Sequence, residues 1–366
     1  MARLFRTGVG GLVLTVMLLP VWSGVADGAT TISAPTSAQQ SNAAMHCTHG
    51  ETPAKTATAV NGLQPPAGFS PATASDAELA KYGFPPRPKS GNSAGWLTAM
   101  RAWKAKAPVN SPAWTCGHES HGTAGANRAV VPDGLGGSSS TTSYKWGGNQ
   151  VSNNWNGDYL GDYPSASLEM NLPAPVSSPN NGLNGEATFW TGIGRGNGSG
   201  SSGEQLVQNG VEMGQIPGSF YYALWYEVYP QQAAVYVAPF TISFNDLLYF
   251  QSWYSGGTAH FYFGNLSHGQ SASYTESFDG TTGDSAEWIV EKSGDELLAG
   301  WGPDNPFDMR AEFEGNNGGW YCAGTAYHWS IHLINSSGQD IAHGGAWVDP
   351  PSYCTFPLSR TSAYGG

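Results

Sequence analysis

Charge is scarce in this sequence. Asp, Glu, Lys and Arg make up 11% of its 366 residues, against roughly 25% in an ordinary soluble domain. Basic residues are the rarer kind, 15 against 27 acidic ones, for a net charge of −12. That balance excludes the phosphate-neutralising surface on which nucleic-acid binding rests. Long apolar runs are missing after the N-terminal one, which is itself too short to span a bilayer, so no membrane partner is expected. Sustained helical periodicity is absent too, and with it any helical bundle. The shortage of charge is not a sign of disorder, because aromatics supply 12% of the chain and a core can form. A protein with few ion pairs loses little when carboxylates protonate, and it gathers little positive self-repulsion in acid. Tolerance of low pH follows.

Cysteines number four. Residues 1–26 read as a secretory signal, with Arg3 and Arg6, an apolar run over 8–21, then Gly24 and Ala26 around a cut. Export to an oxidising compartment makes disulfides the expected state, one between Cys47 and Cys116 and one between Cys322 and Cys354. The clusters His46-Cys47-Thr48-His49 and Cys116-Gly117-His118-Glu119-Ser120-His121 hold zinc-type ligands, but the paired cysteines favour disulfides. No metal and no cofactor is expected.

The chain divides by charge. Residues 27–140 carry 8 Lys and Arg against 6 Asp and Glu, whereas 141–366 carry 5 against 21. In the first part Ser75-Asp76-Ala77-Glu78 is a capping box opening a short helix over 76–82, closed by the prolines near 85–88. A second helix over 93–105 would put Trp96, Leu97, Met100 and Trp103 on one side. The stretch 127–142 is Gly- and Ser/Thr-rich and reads as an open linker. After it the texture turns to short alternating runs at 221–228, 234–244, 247–253, 260–263 and 329–334, separated by Gly, Asn, Ser or Pro. The fold expected is all-β: a two-sheet antiparallel β-sandwich of jelly-roll, concanavalin A-like type, preceded by a small helical and irregular segment.

Three stretches combine polarity with apolar framing. Leu206-Val207-Gln208-Asn209-Gly210-Val211-Glu212 sets a neutral amide in a strand. Tyr222-Ala223-Leu224-Trp225-Tyr226-Glu227-Val228-Tyr229-Pro230 sets one carboxylate among aromatics. Ala286-Glu287-Trp288-Ile289-Val290-Glu291 alternates cleanly, with Glu287, Ile289 and Glu291 sharing one side. Taken singly, each reads as a strand with a surface acid or amide. His328 and His332, four apart in an alternating run, lack helical ligand geometry, and no nucleophile elbow or His-Glu-x-x-His motif occurs.

Together, and in this order, the three stretches resemble the glutamic peptidases of the eqolisin family. That family carries Leu-Gln-Thr-Gly, then Trp-Tyr-Glu-Trp-Tyr-Pro, then Ala-Glu-aromatic-Ile-Ile/Val-Glu. Gln208 and Glu291 are 83 residues apart, matching its interval. Ser152-Asn153-Asn154-Trp155-Asn156-Gly157 and Phe189-Trp190-Thr191-Gly192-Ile193 resemble further family segments. The resemblance implies a secreted, acid-acting endopeptidase of protein or peptide substrates, monomeric, with catalysis by Gln208 and Glu291. Trp155, Trp190, Glu227 and Tyr229 would line or support the cleft. Residues 27–140 would be its prosegment and linker, laid over the acidic face, and 141–366 its catalytic domain. At one point the chain departs from the pattern: Gly194 stands where the family has Asp, so a supporting acid is missing or comes from elsewhere. Two other readings stay open on the residues alone. One is a glycoside hydrolase using Glu227 and Glu291; the other is a non-catalytic carbohydrate-binding sandwich.

Overall fold

A strand apolar on one side and studded with acids on the other needs a dry layer beneath it and a reason for its acids to be covered. Both are present here. The computed structural model describes residues 54–91, 94–107, 110–115, 131–132, 138–143, 145–152, 163–176, 185–195, 205–216, 219–279, 283, 285–292, 297–302, 306–315, 317–326, 328–348, 352 and 354–361. The first part of the chain holds β1 (Ala54–Ala59), α1 (Asp76–Lys81), β2 (Ser90–Gly91), α2 (Ala94–Ala102), β3 (Ala105–Lys106) and β4 (Asn110–Thr115). Next come β5 (Val131–Pro132), β6 (Ser138–Ser143), β7 (Trp146–Ser152), β8 (Ser165–Asn171), β9 (Ala174–Val176), β10 (Gly185–Arg195), β11 (Gln205–Ile216) and β12 (Ser219–Tyr229). They are followed by β13 (Val235–Val237), β14 (Leu247–Ser255), β15 (Thr258–Asn265), β16 (Gln270–Ser277) and β17 (Ser285–Glu291). The last are β18 (Leu297–Leu298), β19 (Gly300–Gly302), β20 (Phe307–Glu314), β21 (Gly319–Cys322), β22 (His328–Ile334), β23 (Asp340–Gly344) and β24 (Thr355–Arg360).

Pairing sorts the long strands into two layers. One runs β13–β12–β11–β10–β17–β7, antiparallel throughout. The other runs β20–β8–β14–β15–β16, also antiparallel. Strands β22, β23 and β24 carry the ladder from β7 round to β20, which joins the layers at one edge. The β-sandwich is therefore as expected. Its core follows the period of two: Val207 and Val211, Phe189, Trp288 and Val290 from the first layer meet Leu168, Phe250, Phe261, Phe263 and Phe313 from the second. Polar bolts cross the same gap. Trp288 Nε1 donates to the Ser167 carbonyl at 2.7 Å, and Asn209 links the Tyr262 carbonyl and the Ser252 hydroxyl, each at 2.9 Å. A buried amide with both ends satisfied at strand centre fixes register as well as energy.

The N-terminal segment makes a third layer on the outer side of β14 and β15. Leu79, Phe84, Trp96, Ala99 and Met100 pack there against Tyr249, Trp253 and Tyr262. The capping box forms: Glu78 N–H is accepted by Ser75 Oγ, and Ser75 N–H by Glu78 Oε2. Helix α2 is shorter than the apolar spacing predicts, ending before Trp103. Strand β4 extends the first layer by pairing with β13, and β1 pairs with β4. The described helices of this segment thus pack on the second layer, while β4 and β1 lie at the edge of the first. Of the stretch 127–142 expected as an open linker, residues 131–132 and 138–142 lie in strands, β6 being parallel to β22, and the rest is outside the described residues. A Ser/Thr run is well suited to a strand once a neighbour supplies the ladder. Strand β13 is only three residues long where the apolar run predicts eleven, because Pro239 ends the ladder. Cys322 and Cys354 are bonded as expected; Cys47 and Cys116 lie outside the described residues. Among those residues no helix is long and apolar enough to cross a membrane.

Candidate active site

The outer side of the first layer can be laid out as a grid. One row across five strands reads Gln150, Glu287, Gly192, Gln208, Glu227. Two residues along, the next reads Ile289, Trp190, Gly210, Trp225, Tyr236. Two further, it reads Trp146, Glu291, Thr188, Glu212, Ala223. Even spacing keeps all of them on one face. Gln208 and Glu291, distant in sequence, therefore share a face, two strands and two rows apart. Trp190 stands on the strand between them.

This face is not a solvated one. Gln208 and Glu227 are fully buried and Glu291 is 2% exposed, which overturns the reading of the two acids in β17 as surface charges. Each member of the pair has a fixed partner. Gln208 Nε2 donates to Glu227 Oε2 at 2.9 Å, and Trp190 Nε1 donates to Glu291 Oε2 at 2.9 Å. The Trp190 ring lies edge-on to Trp146, centroids 5.2 Å apart, so its indole N–H is aimed by packing. Gly210 makes room for it, since a Cβ there would sit 2.1 Å from the Phe189 carbonyl oxygen and 2.7 Å from Trp190 Cβ. Gly192 keeps the floor beside Gln208 low: a Cβ there would come within 3.0 Å of Gln208 Cβ. Tyr229, half-buried, closes the aromatic cluster formed by Trp146, Trp190 and Trp225. Trp155 lies outside the described residues.

Two further groups of acids were not assigned from sequence. Glu287 Oε1 accepts from Gln150 Nε2 at 2.5 Å and from Ser285 Oγ at 2.9 Å. It faces Gly192 across the ladder, in the same row as Gln208 and two strands from it, and Ser285 faces Gly194, where the resembling family has an acid. At the other end Tyr221 Oη lies 2.7 Å from Glu186 Oε1 and 2.6 Å from Glu212 Oε1, while Tyr236 Oη donates to Glu212 Oε2 at 2.9 Å. Burial first, then the Glu212 and Glu186 carboxyls, push the Tyr221 phenol well above its ordinary range, so it keeps its proton. One phenol hydrogen serves only one acceptor. The second contact is complete only when one of the two carboxyls carries a proton and donates it. The signal for Glu212 was in the sequence, four residues after Gln208 and on its side of the strand. Pairing of Glu186 with Tyr221 depends on which strands adjoin, and no spacing reveals that.

A β-sandwich whose outer face buries an amide, an indole N–H and several carboxyls has the equipment of an acid–base hydrolase. The sequence matches the peptidase A4 family over residues 144–337, more than half of its length, and the chain belongs to that family. It is a glutamic peptidase of the eqolisin group, a hydrolase of peptide bonds. Among solved structures it is similar to scytalidoglutamic peptidase bound to a peptide-based transition-state analogue, with 19% identity and a TM-score of 0.44 over 60% of this chain and 98% of that one. It is also similar to SCP-B, a member of the eqolisin family bound to the tripeptide Ala-Ile-His, with 19% identity and a TM-score of 0.40 over 60% and 98%. Aspergilloglutamic peptidase from Aspergillus niger gives 25% identity and a TM-score of 0.38 over 48% and 99%. No curated protein matches the sequence.

Proposed function

We propose that this chain is an exported endopeptidase that works in acid, with Gln208 and Glu291 as its catalytic pair. The observation that carries the reading is the common buried face of Gln208 and Glu291 inside the family-matched span, with Glu227 bonded to the amide and Trp190 to the carboxyl. As a carboxylate, Glu291 takes a proton from water while the water oxygen bonds to the scissile carbonyl carbon. The carbonyl π electrons move to oxygen, and the Gln208 amide donates to that oxyanion. Such a donor to an oxyanion is worth about 3–4 kcal/mol. Glu291 then passes its proton to the leaving nitrogen as the C–N bond breaks, which returns it to its starting state. An amide donor does not titrate in this range, whereas an unperturbed Glu ionises near ~4.3, so such a pair suits acid. Trp190 orients Glu291, and Glu227 orients Gln208. Residues 1–26 are read as a signal removed on export, the segment before the sandwich as a prosegment, and the enzyme as a monomer.

Casein digestion across about pH 2–5, the range in which a Glu base ionises, tests this with an aspartic-peptidase inhibitor present. Near-complete loss in both Gln208→Ala and Glu291→Gln is expected. Retention of most activity by Gln208→Ala, with loss in Glu227→Gln, would transfer the chemistry to the two glutamates.

A further inference from the structure

Strands β22 and β23 carry a second cluster, remote in the chain from the acid-lined face and reaching beyond residue 337, where the family match ends. His332 and His343 are direct cross-strand partners, and their rings stack with centroids 4.8 Å apart. Asp340, three residues before His343, would point to the opposite side in a regular strand. A register shift between Leu333 and Ile334 lets Ile334 pair with Asp340, which turns that carboxylate onto the histidine side. Asp340 Oδ2 lies 2.7 Å from His332 Nδ1 and 2.8 Å from His343 Nδ1. All three side chains are about one-third exposed, so water can reach them.

Hydrogen bonding does not account for the whole cluster. Both imidazoles share Asp340 Oδ2, whereas Asp340 Oδ1 is a buried atom without a hydrogen-bond partner among the described residues. A buried carboxylate oxygen left unpaired beside two imidazoles that share its other oxygen is a donor set that a cation can satisfy. The three ligand atoms lie within 4.8 Å of one another. Tetrahedral zinc holds its nitrogen and oxygen ligands about 3.3 Å apart at its usual bond lengths, so the closest pairs need open by only about half an ångström. Two imidazoles and one carboxylate suit zinc-class cations and not calcium or magnesium, which take oxygen ligands.

We propose that His332, Asp340 and His343 form a zinc-class metal site with water in the fourth position. Its consequence is structural, since β22 also pairs with β7, the neighbour of the Glu291 strand. His328 has no part in it; the partners of His332 come from β23.

The full chain, stripped with chelator and held near neutral pH, is titrated with zinc by calorimetry and with cobalt by visible absorption. One equivalent of zinc is expected, with cobalt bands of four- or five-coordinate nitrogen and oxygen ligation, a raised melting temperature and no response to calcium. His343→Gln and Asp340→Asn each weaken zinc by at least about tenfold, since even the loss of outer partners costs that much at metal sites. On the unaltered protein, cobalt shifts the imidazole proton resonances of His332 and His343, which keeps the test independent of variant folding. Absence of stoichiometric binding overturns the proposal. So does undiminished binding by a folded His332→Gln/His343→Gln double variant, which would assign the metal to other histidines, or cobalt binding that leaves both rings unshifted.

Discussion

Glu169 lies on the outer side of the second layer, on β8, opposite Arg310 of β20 and Tyr249 of β14. Burial raises its carboxyl from 4.5 to about 7; Arg310 opposes the shift and Glu312 adds to it. One oxygen, Oε2, is buried with no hydrogen-bond partner among the described residues, consistent with a group that prefers to be neutral. A folded-state value above the unfolded one means that the native protein holds this proton more tightly. Below about pH 4.5 both states are protonated and nothing is lost; the penalty grows as pH rises and is complete above about pH 7. At ~1.36 kcal/mol per unit, the shift corresponds to about 3 kcal/mol. Glu169→Gln removes the charge and keeps the shape. Urea unfolding in a Glu291→Gln background, used to stop self-digestion, should show equal stability near pH 4 and a gain of up to about 3 kcal/mol for the variant near pH 8. A variant that loses stability at pH 8, or whose pH dependence matches that of the parent, would show that Glu169 is ionised in the folded protein and that the argument fails.

Other outcomes follow from the same geometry. Trp190→Phe keeps the ring and deletes the donor to Glu291, so kcat should fall by roughly tenfold to a hundredfold, the worth of one charged hydrogen bond, and the acidic limb of the pH–rate profile should move upward. An unchanged profile would mean that Trp190 is packing only. Gly210→Ala places a Cβ against the Phe189 carbonyl and the Trp190 backbone, and a loss above about 4 kcal/mol, seen as insoluble expression, is expected. Cys354→Ala opens a bridge between residues 32 apart in sequence, which predicts a loss of about 3–4 kcal/mol by the loop-entropy model, read as a lower denaturant midpoint.

The sandwich was legible because a period-two pattern forces one side of each strand into a dry layer, and Trp288 with Val290 against Glu287 with Glu291 is that pattern in its clearest form. The capping box at Ser75 was legible for a similar reason: its hydrogen bonds close within four residues. Position in the chain also marked Gln208, Glu227 and Glu291, through a shared order of motifs. What sequence order leaves open is adjacency between strands. It does not say that Glu287 shares a row with Gln208 across β10, that Tyr221 is shared by Glu186 and Glu212, or that the N-terminal helices cover Tyr249 and Trp253. Nor does it show the slip that brings Asp340 beside two histidines. Those outcomes are fixed by ladder register and by which layer buries which face, and both are settled by contacts between residues far apart in the chain.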